Sequence, residues 1–177
     1  MKVFFDLDET LIHSRTYKPR TQESFFSFSI NKEKFWTSIR PSAREVIDFA
    51  RQQVGHENVY ILTVASYDYA HRICNSQNWG FLPDYIIARE TIKRYTIEIP
   101  MMYTMESVVS MHPLAHESNI LIDNLPPKHN DDKISLMGIN PITHYLQIEE
   151  YLGSDTEHQE NTFKEQVKNF IINKKNQ

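Results

Sequence analysis

The first ten residues constrain this chain more than any others. Lys2-Val3-Phe4-Phe5 is a short, mostly apolar run of β-branched and aromatic side chains, and it leads straight into Asp6-Leu7-Asp8-Glu9-Thr10. Such a run reads as a buried strand. In an open α/β sheet, ligands bind beyond the carboxyl ends of the strands, so Asp6 to Thr10 stand where a ligand would lie. The same pattern recurs twice. A second apolar run over residues 58–64 carries Thr63 at its end with Ser66 close behind, and Asn119-Ile120-Leu121-Ile122 ends in Asp123-Asn124.

Helical patterns separate these strands. Pro41-Ser42 opens a helix to about residue 54, with Ala43, Val46, Ile47, Ala50 and Val54 on one face. A second helix runs from Tyr67 to Asn78 and ends at Gly80. Tyr85 to Ala88 reads as a third strand, and Ile134 to Ile139 as a last short one. The alternation predicts parallel βαβ units. The expected fold is α/β and Rossmann-like, with a mainly parallel sheet and helices on both faces. Residues 14–23 are polar and read as loop. Two short strands around Asn31–Lys34 predict a β-hairpin flap over about 24–39. The core is expected over 1–152, followed by a helix and tail over 153–177, with no internal repeat and no linker.

With 177 residues, 40% of them hydrophobic and 24% charged, the chain has enough material for one soluble domain. A net charge of -4 gives no general attraction to nucleic acid or to anionic membrane. No apolar run is long enough to span a bilayer. No signal peptide is expected, because the first apolar run carries Asp6 and Asp8. Cys74 is the only cysteine, which excludes an intramolecular disulfide and suits a reducing cytoplasm. The four glycines form no phosphate-cradling loop.

Gathering Asp6, Asp8 and Asp123 at one place costs charge repulsion, which a cation between the carboxylates relieves. Hard oxygen ligands favour Mg²⁺. A carboxylate beside bound phosphate can act as a nucleophile and form an aspartyl-phosphate. A second carboxylate two residues on can protonate the leaving oxygen and later deprotonate the attacking water. Each piece also has a plain alternative. An Asp after a strand is often a turn or cap residue, Thr63 could be an ordinary capping hydroxyl, and Asp123-Asn124 before Pro126-Pro127 could be only a turn. Their joint placement, each after an apolar strand, favours a site.

Phe4 to Ser14 resembles the first motif of the haloacid dehalogenase superfamily. The order D-L-D-E-T-L-hydrophobic-H-S is similar to the branch of phosphatases acting on the C-terminal domain of RNA polymerase II, the NLI-interacting-factor-like group. Arg40-Pro41, Leu62 to Ser66 (one residue longer than the usual T-A-S) and Leu121 to Asn124 resemble further motifs of that branch. The resemblance implies a Mg²⁺-dependent phosphatase with Asp6 as nucleophile and Asp8 as general acid/base. The metal ligands would be Asp6, Asp123 and the Asp8 backbone carbonyl, with Asn124 in support. Phosphate or substrate contacts would come from Thr10, Thr63, Ser66, Arg40 and a lysine. No lysine or arginine lies between Arg94 and Asp123, where the family places one, so Lys93 is the leading substitute and Arg94 or Lys128 the alternatives.

The flap segment is too short for a folded cap, so the cap is expected to be minimal or absent and the site open. An open site suits phosphate on a phosphoprotein or a nucleic-acid end. A 5′-nucleotidase-type small-molecule phosphatase stays open as an alternative, as does a catalytically weak phospho-binding module. Flap aromatics Phe25, Phe26, Phe28, Phe35 and Trp36 could stack on a base, grip a peptide, or pack on the domain. Met101, Met102, Met105 and Met111 could wall the site or pack the core.

Overall fold

The computed structural model describes residues 1–19, 24–90, 119–125 and 144–177. Lys93, Arg94, Lys128, the methionine-rich stretch and the strand expected at 134–139 lie outside them.

Five strands form one sheet: β1 (Lys2–Phe5), β5 (Val59–Leu62), β6 (Ile86–Ile87), β7 (Asn119–Asp123) and β8 (His144–Gln147), in the order β6-β5-β1-β7-β8. Every pairing in it is parallel. A strand buried on both faces needs apolar side chains at every position, not alternate ones. β5 meets that condition throughout, and β1 and β7 meet it over Val3–Phe5 and Ile120–Ile122, with Lys2, Asn119 and Asp123 buried at their ends. Val3, Phe5, Ile61, Ile120 and Ile122 serve one face. Phe4, Tyr60, Leu62, Ile87 and Leu121 serve the other.

Three described helices cover the Val3–Phe5 face: α1 (Ala43–Val54), α2 (Tyr67–Ser76) and α3 (Glu157–Lys175). α1 presents Ala43, Val46, Ile47 and Ala50 as a buried stripe at helical spacing. α2 is capped by Ser66, whose side chain accepts the Tyr69 N–H. α3 starts at a reciprocal capping box between Thr156 and Gln159, and seats Phe163, Val167 and Ile171 in the same core as β1. The terminal helix is therefore built into the core.

A second, antiparallel sheet comes after β1 in the chain. It contains β2 (Ile12–Arg15), β3 (Phe26–Ile30) and β4 (Glu33–Ile39), in the order β2-β4-β3. The expected hairpin is β3 and β4. β2 corrects the expectation of loop from residue 14: pairing Ile12 with Ile39 and Ser14 with Thr37 makes a strand of residues that show no apolar alternation. Phe26, Phe28, Ile30 and Phe35 pack from this flap onto the main core.

Strand order reverses at β1. The chain moves one way from β1 to β5 and β6, and the other way to β7 and β8. The crevice beyond the carboxyl ends of β1 and β7 is the switch point where a doubly wound sheet binds its ligand.

Candidate active site

Asp6 is the first residue past β1. Its backbone N–H donates to the Ile122 carbonyl at 3.0 Å, which extends the β1–β7 ladder and sets Asp6 beside Asp123, the last residue of β7. Both are nearly sealed from solvent, 4% and 2% exposed. Burial first, then the neighbouring charges of Asp123 and Asp8, pushes the Asp6 carboxyl well above its ordinary range. Burial also raises Asp123, against the Leu125 N–H that donates to Asp123 Oδ1 at 2.8 Å.

Glu9 turns the chain after Asp8. Its φ of 62° is left-handed, which costs a non-glycine residue about 1 kcal/mol. Two hydrogen bonds offset that cost. The Glu9 N–H donates to the Ile12 carbonyl and the Tyr151 N–H donates to the Glu9 carbonyl, both at 2.6 Å.

The Asp8 carboxylate goes to a different neighbour. Tyr69 of α2 donates its hydroxyl to Asp8 Oδ1 at 2.6 Å. Burial raises the Asp8 carboxyl and this hydrogen bond partly opposes it. Among the described residues, no three His, Cys, Asp or Glu side chains converge as a metal cluster. The charges of Asp123 and, less strongly, Asp8 both bear on Asp6. Asp6 and Asp123 together fit a hard divalent cation. Two buried carboxylates, each raised by its surroundings, are the donor set that Mg²⁺ takes when water fills its other positions.

Thr10 is fully buried. Its Oγ1 accepts the Asn124 N–H at 3.1 Å and lies 3.3 Å from Asn124 Oδ1, and its hydroxyl also stabilises the Asp6 carboxylate. It therefore pins the β7 loop to the β1 loop, where phosphate contact was expected, and Asn124 is the other half of that pin. Thr63, 1% exposed, stands just past β5, its Oγ1 accepting the Ala65 N–H at 3.1 Å.

Arg40 is a further correction. Its guanidinium is buried and spent on the protein: Nε on Glu160 at 3.0 Å, Nη2 on Asp155 at 2.7 Å, and Nη1 on the carbonyls of Thr10 and Glu149 at 3.1 and 3.2 Å. It braces the Asp loop from behind and has no fork left for a phosphate.

Beside Asp8 opens a pocket of about 450 Å³ between body and flap, lined by Ser66 and Tyr69 on one side and Glu33 and Phe35 on the other. Arg89 also lines it. Sequence reasoning missed this residue. Its backbone N–H donates to the Ala65 carbonyl at 2.9 Å and its Nε to the Val64 carbonyl at 2.8 Å, and no carboxylate among the described residues pairs with it. The available signal was its place: a cation just past the carboxyl end of a parallel strand, β6, as Asp6 is past β1.

The family model of the NLI interacting factor-like phosphatases matches residues 1–173 of the chain. No curated protein matches the sequence. Among solved structures, one similar to the chain is a variant of the fission yeast RNA polymerase II CTD phosphatase Fcp1 bound to beryllium fluoride, at 14% identity and a TM-score of 0.50. A second Fcp1 structure, described as an essential RNA polymerase II CTD phosphatase, is 12% identical with a TM-score of 0.50. Each match covers 97% of this chain, which spans only about half the length of those relatives, 50% and 49%. At such identities the likeness concerns the fold, and it agrees with the parallel α/β sheet and Rossmann-like order found here. With the family match running over nearly the whole sequence, the chain belongs to the NLI interacting factor-like phosphatases.

Proposed function

We propose that the chain hydrolyses phosphomonoesters on a protein substrate through an aspartyl-phosphate on Asp6, with Mg²⁺ as cofactor. The observation that carries this reading is the separation of two acid environments within three residues. Asp6 is sealed beside Asp123, while Asp8 faces the pocket under the Tyr69 hydroxyl.

Asp6, Asp123 and the Asp8 backbone carbonyl would hold Mg²⁺, with Asn124 fixing the loop, and the ion supplies the positive charge that keeps Asp6 and the phosphate together. Asp6 attacks phosphorus as the ester bond breaks. Asp8, whose carboxyl is raised by burial, gives its proton to the departing oxygen and then takes one from the water that cleaves the aspartyl-phosphate. Thr63, Ser66 and Arg89 orient phosphate oxygens. Arg89 is the described cation best placed for the family's missing lysine, and Lys93 is the other candidate. The pocket is partly open and carries an aromatic flap wall, which suits a phosphorylated side chain on a peptide more than an enclosed metabolite. Among the described residues no helix is long and apolar enough to cross a membrane, and the lone Cys74 is buried, in keeping with a cytoplasmic enzyme.

The test is hydrolysis of p-nitrophenyl phosphate, phosphoserine peptides and nucleoside monophosphates, with Mg²⁺ or with chelator. Turnover that needs Mg²⁺, favours the peptides and drops at least ~10⁴-fold in Asp6→Asn is expected, since the nucleophile is removed. Faster turnover of nucleotides would move the assignment to a small-molecule phosphatase. Binding of phosphopeptide without turnover would leave only a recognition module.

A further inference from the structure

The Tyr69 hydroxyl stands at the centre of a chain of side-chain hydrogen bonds that links Asp8 to the flap. It donates to Asp8 Oδ1 at 2.6 Å and lies 2.6 Å from Ser14 Oγ, which in turn lies 2.7 Å from Thr37 Oγ1. Ser14 is on β2 and Thr37 directly opposite on β4. A phenol has one proton. With that proton on Asp8, the phenol oxygen accepts from Ser14, and Ser14 accepts from Thr37. Flap rings hold the Tyr69 ring as well: Phe35 meets it edge-on at 5.4 Å and Phe28 at a tilt at 5.7 Å. Tyr69 is 7% exposed, so both ring and hydroxyl are fixed by contacts that come from the flap.

We propose that Tyr69 is a positioning residue for Asp8, and that the flap sheet sets its position through Ser14, Thr37, Phe28 and Phe35. This rests on the reading of Asp8 as general acid. A carboxylic acid has two oxygens and one proton. The Tyr69 O–H occupies Oδ1 as an acceptor, which assigns the acid proton to Oδ2. In the first step the Asp6–phosphorus bond forms, the ester P–O bond breaks, and the Oδ2 proton passes to the departing oxygen, leaving Asp8 as a carboxylate that Tyr69 still holds. Without the hydroxyl, the Asp8 carboxyl can rotate and divide its proton between two oxygens, of which one serves the substrate.

A leaving group that departs as a stable anion needs little of that proton, whereas an alkoxide needs it fully. The experiment therefore compares kcat/KM, which reads phosphoenzyme formation, for p-nitrophenyl phosphate and for a phosphoserine peptide, in wild type, Tyr69→Phe and Ser14→Ala. Tyr69→Phe keeps the ring contacts to Phe28 and Phe35. It is expected to lose roughly 10-fold or more on the peptide and no more than about 3-fold on the aryl ester, with Ser14→Ala showing a weaker loss of the same kind. Equal losses on both substrates, or none on either, would overturn the proposal and leave Tyr69 as packing. If wild type shows no Mg²⁺-dependent turnover that Asp6→Asn abolishes, the underlying reading fails and the proposal with it. That result is distinct from a normal wild type whose Tyr69→Phe variant lacks substrate selectivity.

Discussion

Two buried charge clusters flank the loop between β1 and β2, and their balance differs. In front, Asp6 and Asp123 are both acids, each raised by burial, with only neutral groups donating to them among the bonds described. Behind, Arg40 stands between Asp155 and Glu160, stacks 3.9 Å from the Phe163 ring centre, and has four described hydrogen bonds of its own. Glu160 is further satisfied by the Ser42 N–H and hydroxyl. The rear cluster is completed by the protein itself. The front one has no cation of its own among the described residues. Buried acids built around a cation of the chain's own are architecture, and buried acids that face each other without one are the candidate site.

The sharpest way to break this comparison is to unbalance the rear cluster. Arg40→Ala leaves two carboxylates facing each other without their cation and releases the carbonyls of Thr10 and Glu149. The expected cost is about 3–5 kcal/mol in denaturant unfolding. Arg44, whose pair with Asp48 is half exposed, is the control, and Arg44→Ala is expected to cost under ~1 kcal/mol. Equal costs for the two variants would mean that burial does not set the value of these charges here.

Asp123→Asn tests the front cluster in the opposite direction. The amide keeps an oxygen for the Leu125 N–H and removes one of two repelling charges. In chelator the variant is expected to be more stable than wild type by ~1 kcal/mol. With Mg²⁺ at about one hundred times its dissociation constant, wild type gains about 2.7 kcal/mol while the variant gains little, so the ranking inverts. Thermal unfolding with and without Mg²⁺ measures both. A variant that is less stable in chelator would mean that the two acids do not oppose each other.

Range in the chain decides which of these clusters was legible in the sequence. Asp6, Asp8 and Asp123 could be found because each comes after an apolar strand, and strand register then places the first beside the last. The Asp8 turn toward Tyr69 was not legible, because it depends on the left-handed Glu9 and on a helix about sixty residues away in the chain. Arg40 was read as a substrate residue because its partners, Asp155 and Glu160, lie in the terminal segment, whose polar face carries no mark of burial. β2 and β8 escaped notice for a related reason. β2 is a polar strand that exists by pairing with β4, and β8 is an edge strand of half-buried residues with no regular alternation. Local pattern reports what a segment buries. It does not report what a segment is paired with.

Acidity gives the finest distinction within the rear cluster. One guanidinium serves two carboxylates, so one negative charge is in excess at neutral pH. Burial, then the hydrogen bond to Glu160, pushes Asp155 up to about 6, while hydrogen bonds from Ser42 and its other partners bring Glu160 below its ordinary value despite burial. The signs separate the two. Asp155 binds a proton more tightly folded than unfolded, so its contribution is fully present below about pH 4 and is lost as pH rises toward and through about 6. Glu160 works the other way, and its contribution is lost only at pH below the ordinary carboxylate range. Between pH 5 and 7 the Asp155 slope therefore stands alone within this cluster. Asp6, Asp8 and Asp123 slope the same way in both proteins when wild type is compared with Asp155→Asn. Relative to that variant, wild type is expected to lose on the order of 1 kcal/mol of unfolding free energy from pH 5 to 7, a figure that allows for solvent screening. Parallel stability curves would mean that Arg40 neutralises both acids at once, and that the rear cluster carries no excess charge.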